Sequence, residues 1–282
     1  MSDIATTGMM TASAAAELTE LAWALRSHTG RVRDENEDCV GVYAPREDDV
    51  DALRGPVFVV ADGMGGHAAG EVASRLAVEN VISSWTMSSS GAPHQALRSA
   101  VRAANGVVFG ASLDRDTRGM GTTLTALALA GDEGIVAHVG DSRAYQVRDG
   151  DCSQITADHT RVGEMVRTGL ITPEQAAHHP ARSQLTRNLG HEPAVQVDIS
   201  RFAVKLNDCF VLCSDGLWDL VSRREIAQAV AAEPAQAAES LIHTALDRGA
   251  PDNVTAIVVR ITAEPIVLPA RPWQRWSLFR RE

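Results

Sequence analysis

The amino-acid sequence predicts an α+β fold in which helix pairs cover two antiparallel sheets, and three observations predict it. Short strand-like runs bounded by Gly or Asp follow one another closely, which favours hairpins and antiparallel pairing. Two helix pairs interrupt these runs, one early and one late in the chain. No internal repeat or interdomain linker divides the 282 residues, so a single domain is expected over residues 21–262.

Residues 1–20 are rich in Ala, Ser, Thr and Met and read as a flexible leader. Strands are expected at Leu21–His28, Asp38–Tyr43 and Val57–Ala61. Val78, Val81, Ile82 and Trp85 then fall on one helical face, as do Leu97, Ala100, Val101 and Ala104 in the next helix. Thr122–Ala130 and Ile135–Gly140 read as strands joined by the turn Gly131-Asp132-Glu133-Gly134. Arg143–Arg148 is another strand, and an irregular helical stretch leads to a strand at Cys209–Ser214.

In the second helix pair, Ser222 and Glu225 have capping-box spacing, with Val221 and Ile226 placed as a hydrophobic staple. After Pro234, the residues Ala238, Leu241, Ile242 and Ala245 mark one face, and Gly249 suits the helix end. Val254–Ile261 is the last strand. Residues 263–282 carry Pro265, Pro269, Pro272, Trp273, Trp276 and four arginines without periodicity, and are expected to be a tail that packs locally or docks elsewhere.

Composition narrows the function. With 26 basic and 36 acidic residues the net charge is −10, which argues against nucleic-acid binding. No apolar run is long enough to span a membrane, and no cationic, apolar secretory leader is seen. Cys39, Cys152, Cys209 and Cys213 form no Cys-x-x-Cys pair and read as small buried hydrophobes in a reducing cytoplasm. The chain is therefore expected to be cytoplasmic.

The candidate chemistry lies in acidic residues at strand ends: Glu37-Asp38, Asp62, Asp141, Asp215 and Asp252. Any one of them beside Gly or Asn is ordinarily a turn residue. The apolar runs Val59-Val60-Ala61-Asp62 and Val211-Leu212-Cys213-Ser214-Asp215, however, each deliver a carboxylate at an edge where packing holds it still. Converging carboxylates raise one another's pKa, and hard cations such as Mg²⁺, Mn²⁺ or Ca²⁺ relieve the repulsion. Two such ions about 3.5–4 Å apart acidify a water and clamp a phosphoryl oxygen.

Six short motifs occur in order: Arg33-Asp34-Glu35-Asn36-Glu37-Asp38, Asp62-Gly63-Met64-Gly65-Gly66-His67, Gly119-Met120-Gly121-Thr122-Thr123, Val139-Gly140-Asp141-Ser142-Arg143, Ser214-Asp215-Gly216 and Asp252-Asn253. Together they resemble the metal-dependent protein phosphatases, the type 2C serine/threonine phosphatases. Asp158-His159-Thr160, Gly169-Leu170-Ile171-Thr172-Pro173-Glu174, His179-Pro180 and Leu185-Thr186-Arg187-Asn188-Leu189-Gly190 resemble the flap of the bacterial subtype, over about residues 158–190. The resemblance spans about residues 22–262.

It implies a four-layer α-β-β-α sandwich and hydrolysis of phosphoserine or phosphothreonine in proteins, by direct attack of a hydroxide bridging two Mn²⁺ or Mg²⁺ ions. Asp62 would bridge the metals and the Gly63 carbonyl would add a ligand. Asp38 would contact a metal directly or through water, and Glu37 would hold a bound water. Asp215 and Asp252 would complete the first metal's shell, and Asp141 with Asp215 would hold a third, weaker metal. Arg33 would grip the substrate phosphate, which its planar guanidinium suits. The implied partners are phosphorylated proteins, targets of a bacterial Ser/Thr kinase, met by a monomer.

The sequence departs from part of the family at Met64, where eukaryotic members carry a histidine after Asp-Gly. His67 is the nearest candidate acid for the leaving oxygen, beside the alternatives of a structural role at the next helix start and a metal-bound water. The glycines of Gly63-Met64-Gly65-Gly66 lack the Lys-Ser/Thr of a nucleotide loop and read as a turn beside metals. His178 and His179 read as flap surface, and Ser183 follows Arg182 where many relatives carry Asn. No Cys-x5-Arg or Gly-x-Ser-x-Gly motif offers a nucleophile. A phosphoprotein-binding pseudo-phosphatase and a hydrolase of small phosphate esters or diesters are the competing readings.

Overall fold

The structure, a computed structural model, describes residues 4–10, 21–45, 54–65, 69–88 and 91–264. Among these, two sheets face each other. The first runs β1 (Ile4–Met10), β2 (Leu21–His28), β12 (Val254–Ile261), β11 (Cys209–Cys213), β8 (Arg143–Arg148), β9 (Asp151–Gln154). The second runs β10 (Asp198–Ala203), β7 (Glu133–Val139), β6 (Leu124–Ala130), β4 (Val57–Met64), β3 (Asp38–Tyr43), with β5 (Gly121–Thr122) paired to the end of β4. Every pairing between these strands is antiparallel.

The period-two pattern of the strands builds three hydrophobic layers. In β4, Val57, Val59 and Ala61 pack outward against α1 (Ala69–Met87) and α2 (Pro93–Ala111), through Ala77, Val81, Trp85, Leu97 and Val101. Phe58 and Val60 turn inward and meet Phe210, Leu212, Ile257 and Val259 of the first sheet. On the far side, Val254, Ala256 and Val258 pack against α6 (Arg223–Ala229) and α7 (Pro234–Asp247). The result is the expected α-β-β-α order, with its core divided among three interfaces.

The local signals behave as their chemistry requires. The Ser222 hydroxyl accepts from the Glu225 N–H at 3.4 Å, while the Glu225 carboxylate accepts from the Ser222 N–H at 2.9 Å. Val221 and Ile226 are both buried beside this cap. The β6–β7 hairpin is tighter than expected. Ala130 pairs with Glu133, so only Gly131-Asp132 turns the chain, and Gly131 takes φ 64° as a Gly-first turn needs.

Three strands were not expected. Ile4–Met10, within the segment read as a flexible leader, lies in register along β2, from Ile4 opposite Ser27 to Met10 opposite Leu21. The edge strands β9 and β10 bury little surface, so their sequences carry no strong apolar alternation. The flap contains two short helices, α3 (Arg161–Arg167) and α4 (Pro173–Ala177). Of the two adjacent flap histidines, His178 is exposed and His179 half-buried. All four cysteines are free thiols, Cys209 and Cys213 buried, Cys39 and Cys152 half-buried. Among the described residues, no helix is long and apolar enough to cross a membrane. Pro265, Pro269, Pro272, Trp273 and Trp276 of the expected tail lie outside the described residues.

Candidate active site

The acidic residues singled out by sequence meet at one end of the sandwich. Asp38 opens β3 and stands opposite Asp62 near the end of β4 in the ladder register. Asp215 is the first residue of α5 (Asp215–Trp218), directly after β11 and Ser214. Asp252 precedes β12, and Asp141 follows β7 after Gly140. Two carboxylates therefore come from the second sheet and two from the first, with Asp141 beside them.

Their electrostatics show the crowding. Burial pushes the Asp38 carboxyl up to about 7, against hydrogen bonds from Thr255 and Ser214 that pull it down. Asp62 lies well above the usual carboxylate range, first through burial and then through repulsion from Asp38, Asp215, Asp141 and Asp252. Asp141 is raised to about 8 by burial and then by Asp215, and Asp215 to about 6 by burial and then by Asp252. Burial is also the main reason that Glu37 is raised.

A web of hydrogen bonds holds these groups in place. Ser214 Oγ donates to Asp38 Oδ2 at 2.7 Å, linking the end of a first-sheet strand to the start of a second-sheet strand. Asn253 ties the Arg33–Glu37 loop to the β12 entry: its Oδ1 accepts from Glu37 N at 2.8 Å, and its Nδ2 donates to Thr29 O and Glu35 O at 2.8 and 2.9 Å. Gly63 N donates to Glu37 O at 3.1 Å and Ser74 Oγ donates to the same carbonyl at 2.6 Å. This packing leaves no room for a side chain at Gly63, while one at Gly70 would push Glu37 aside. A Cβ on Gly63 would lie 2.2 Å from Gly70 O, and one on Gly70 would lie 2.6 Å from the Glu37 carboxyl carbon.

Cations fit this donor set. Asp38 Oδ1 is buried without a hydrogen-bond partner, although buried polar atoms are almost always satisfied. A hard divalent ion is the natural partner for such an oxygen among raised carboxylates. Among the described residues, no three groups are already closed to the spacing that a single ion requires. Asp38 instead accepts from Ser214, and Asp252 Oδ2 accepts from Arg33 Nη2 at 2.8 Å.

Of the residues named from sequence, Arg33, Glu37, Asp38, Asp62, Gly63, Asp141, Asp215 and Asp252 are thus brought together; His67 lies outside the described residues. Sequence reasoning gave no separate role to Ser74 or Trp218. Trp218 Nε1 donates to Asp141 O at 2.9 Å, and its ring carries the Arg143 guanidinium 3.5 Å above it. Arg143 also makes a two-pronged contact with Asp158, at 2.6 and 3.0 Å. The one available signal was position, since Trp218 and Arg143 each lie within three residues of a candidate carboxylate.

Fold and site together define a class: an α+β sandwich carrying an all-oxygen centre suited to hard divalent cations. The chain belongs to the protein phosphatase 2C family, which matches residues 39–247. It is 43% identical over 244 residues to the serine/threonine protein phosphatase PstP of Mycobacterium tuberculosis, covering 86% of this chain and 45% of that protein. The chain thus spans about half the length of that relative. It is 36% identical over 241 residues to the serine/threonine phosphatase stp of Listeria welshimeri, covering 83% of this chain and 93% of that one. A solved structure of the PstP catalytic domain in complex with two manganese ions is 40% identical with a TM-score of 0.74, covering 86% of this chain and 99% of that one.

Proposed function

We propose that this protein is a metal-dependent serine/threonine protein phosphatase that hydrolyses phosphoserine and phosphothreonine in proteins, the targets of a Ser/Thr kinase. The observation that carries the reading is the convergence of Asp38, Asp62, Asp141 and Asp215, all raised, around the unpartnered Asp38 Oδ1. Family membership and the manganese-bound relative support it.

In this reading Asp62, Asp38, Asp215, Asp252 and the Gly63 carbonyl would hold two core Mn²⁺ or Mg²⁺ ions. Glu37 would hold a water beside them, and Asp141 with Asp215 would hold a third, weaker ion. When bound, such ions supply Lewis acidity toward the phosphoryl oxygens and an acidified water. Arg33, at the exposed rim, binds the phosphate and orients it for in-line displacement without a phosphoenzyme. His67 delivers a proton to the departing seryl or threonyl oxygen. A monomer in the cytoplasm is proposed as well, where free thiols such as these four persist.

The test is phosphate release from a phosphothreonine peptide with Mn²⁺, with and without chelator, and with Asp215→Asn as control. Metal-dependent release that Asp215→Asn abolishes is expected. No release from the intact chain overturns the reading in favour of a phosphoprotein-binding pseudo-phosphatase, and preference for a diester favours a small-ester hydrolase. An unchanged rate and pH profile in His67→Ala removes His67 from the mechanism.

A further inference from the structure

His159 is fully buried at the base of the flap and grips Gly140, the residue before Asp141, from both sides. Its backbone N–H donates to Gly140 O at 2.7 Å, and its ring Nδ1 accepts from Gly140 N at 3.1 Å. Since Nδ1 accepts, the proton of the neutral ring is on Nε2, which faces Asp198 Oδ2 at 3.1 Å. Arg187 is donor-only, so its Nη1, 3.2 Å from Nε2, is held by Asp198 Oδ1 at 2.9 Å. Burial lowers the ring's pKa, in keeping with this neutral form.

The rest of the turn is held as firmly. Asp141 O accepts from Trp218, Ser142 O accepts from Thr125 Oγ1 at 3.0 Å, and the Ser142 and Thr123 hydroxyls meet at 2.7 Å. Gly140 itself takes φ 110°, with Thr123 filling the place of a side chain. The two ends of the flap close on the same point. Thr186 N donates to His159 O at 2.7 Å, Arg161 N donates to Gln184 O at 2.8 Å, and Thr160 bridges to Leu185. Asp158, one residue before His159, holds Arg143, two residues after Asp141. Both ends of the flap are therefore fastened to the turn that presents Asp141.

We propose that His159 is a positioning residue that sets the Asp141 carboxylate for the weakest-bound cation, and so couples the seating of the flap to occupancy of that site. The proposal rests on the assignment of Asp141 as a cation ligand. A purely structural histidine would affect stability without selecting one metal site.

The experiment is calorimetric titration of Mn²⁺ into the chelator-stripped full chain, read beside thermal unfolding and the Mn²⁺ dependence of phosphate release. His159→Ala is expected to weaken the weakest site about tenfold, as loss of a group that orients a ligand does. The tighter sites should be unchanged, and the rate at saturating Mn²⁺ should approach wild type. His159→Asn keeps an acceptor for Gly140 N and should recover most of the loss; in an Asp141→Ala background His159→Ala should add nothing. Wild-type Mn²⁺ affinities in His159→Ala, or equal impairment of the Ala and Asn variants, overturn the proposal. Should His159→Ala fail to fold, Asp198→Ala decides it, because that half-exposed carboxylate at the start of β10 holds the ring at Nε2 and its loss must also weaken the weakest site. Selective loss of this site in a chain that releases no phosphate would uphold the clamp and sink the phosphatase reading; the reverse pattern would do the opposite.

Discussion

Arg33 Nη2 lies 2.8 Å from Asp252 Oδ2, so the cation proposed to grip the substrate phosphate and a carboxylate proposed to hold a metal neutralise each other. Both side chains are substantially exposed, at 51% and 37%, so the pair opens at little cost. In the proposed reading, a divalent ion held by Asp252 would compete directly with Arg33 and would free the guanidinium for phosphate.

Arg33→Ala should therefore change unfolding stability by no more than about 1 kcal/mol. It should lower kcat/KM for a phosphopeptide about tenfold or more, since a charge-assisted contact contributes about 1.5–3 kcal/mol. Mn²⁺ binding should tighten, because Asp252 loses its competitor. Calorimetry and peptide kinetics check this; weaker Mn²⁺ binding in the variant contradicts the competition.

Ser214→Ala should leave the fold intact and weaken Mn²⁺ binding by about 10–100-fold, the usual effect of losing a hydrogen bond that orients a ligand. Ser214 is the donor that fixes Asp38 Oδ2 and leaves Oδ1 buried without a partner. Metal titration of the variant reads the effect, with Ser214→Thr expected to retain part of the affinity.

The raised carboxylates make the stability of the stripped protein depend on pH. Asp215, Asp38 and Asp141 ionise at about 6, 7 and 8 when folded, against 3.8 as the ordinary value. Between these values the folded state binds more protons than the unfolded one, so stability falls as pH rises from about 4 through 8. Mn²⁺ needs the ionised carboxylates, so its stabilisation should grow over the same range. Thermal unfolding with chelator should show Tm falling toward alkaline pH, and with Mn²⁺ a widening gap above that curve. A flat chelator curve overturns the electrostatic description.

Gly70→Ala sets helix propensity against the site. Alanine favours a helix over glycine by about 1 kcal/mol, and Gly70 lies in the first turn of α1. The new Cβ would nevertheless press on the Glu37 carboxylate, and such overpacking costs about 1–3 kcal/mol. Activity should fall through displacement of Glu37, and Gly70→Ala combined with Glu37→Ala should regain the stability lost. Steady-state kinetics and thermal unfolding of the two variants check it.

The central strands β4, β11 and β12 were legible because strands buried on both faces read as nearly continuous apolar runs, and β2, β3, β8 and β12 begin and end where expected. The strands β1, β9 and β10 were not, since edge strands are held by backbone ladders that any residues can form. For the site, each carboxylate was visible as a residue at a strand end, but nothing in the chain order says that Asp38 faces Asp62. That follows from ladder register, and the Asp38–Ser214 link from how the two sheets stack. Trp218, Arg143 and Asp158 were missed as a brace because stacking and side-chain bonding between distant segments have no local sequence pattern.

The Ser214–Asp38 hydrogen bond has a consequence for how this protein tolerates change. It spans the sandwich, and the carboxylates on either side of it belong to different sheets. The site therefore works as a caliper closed on the thickness of the layer formed by Phe58, Val60, Phe210 and Leu212. Substitutions there that preserve volume but tilt one sheet against the other would open the jaws while the molecule stays folded. In this protein, losses of activity should accordingly map to the middle of the sandwich as well as to its acidic rim.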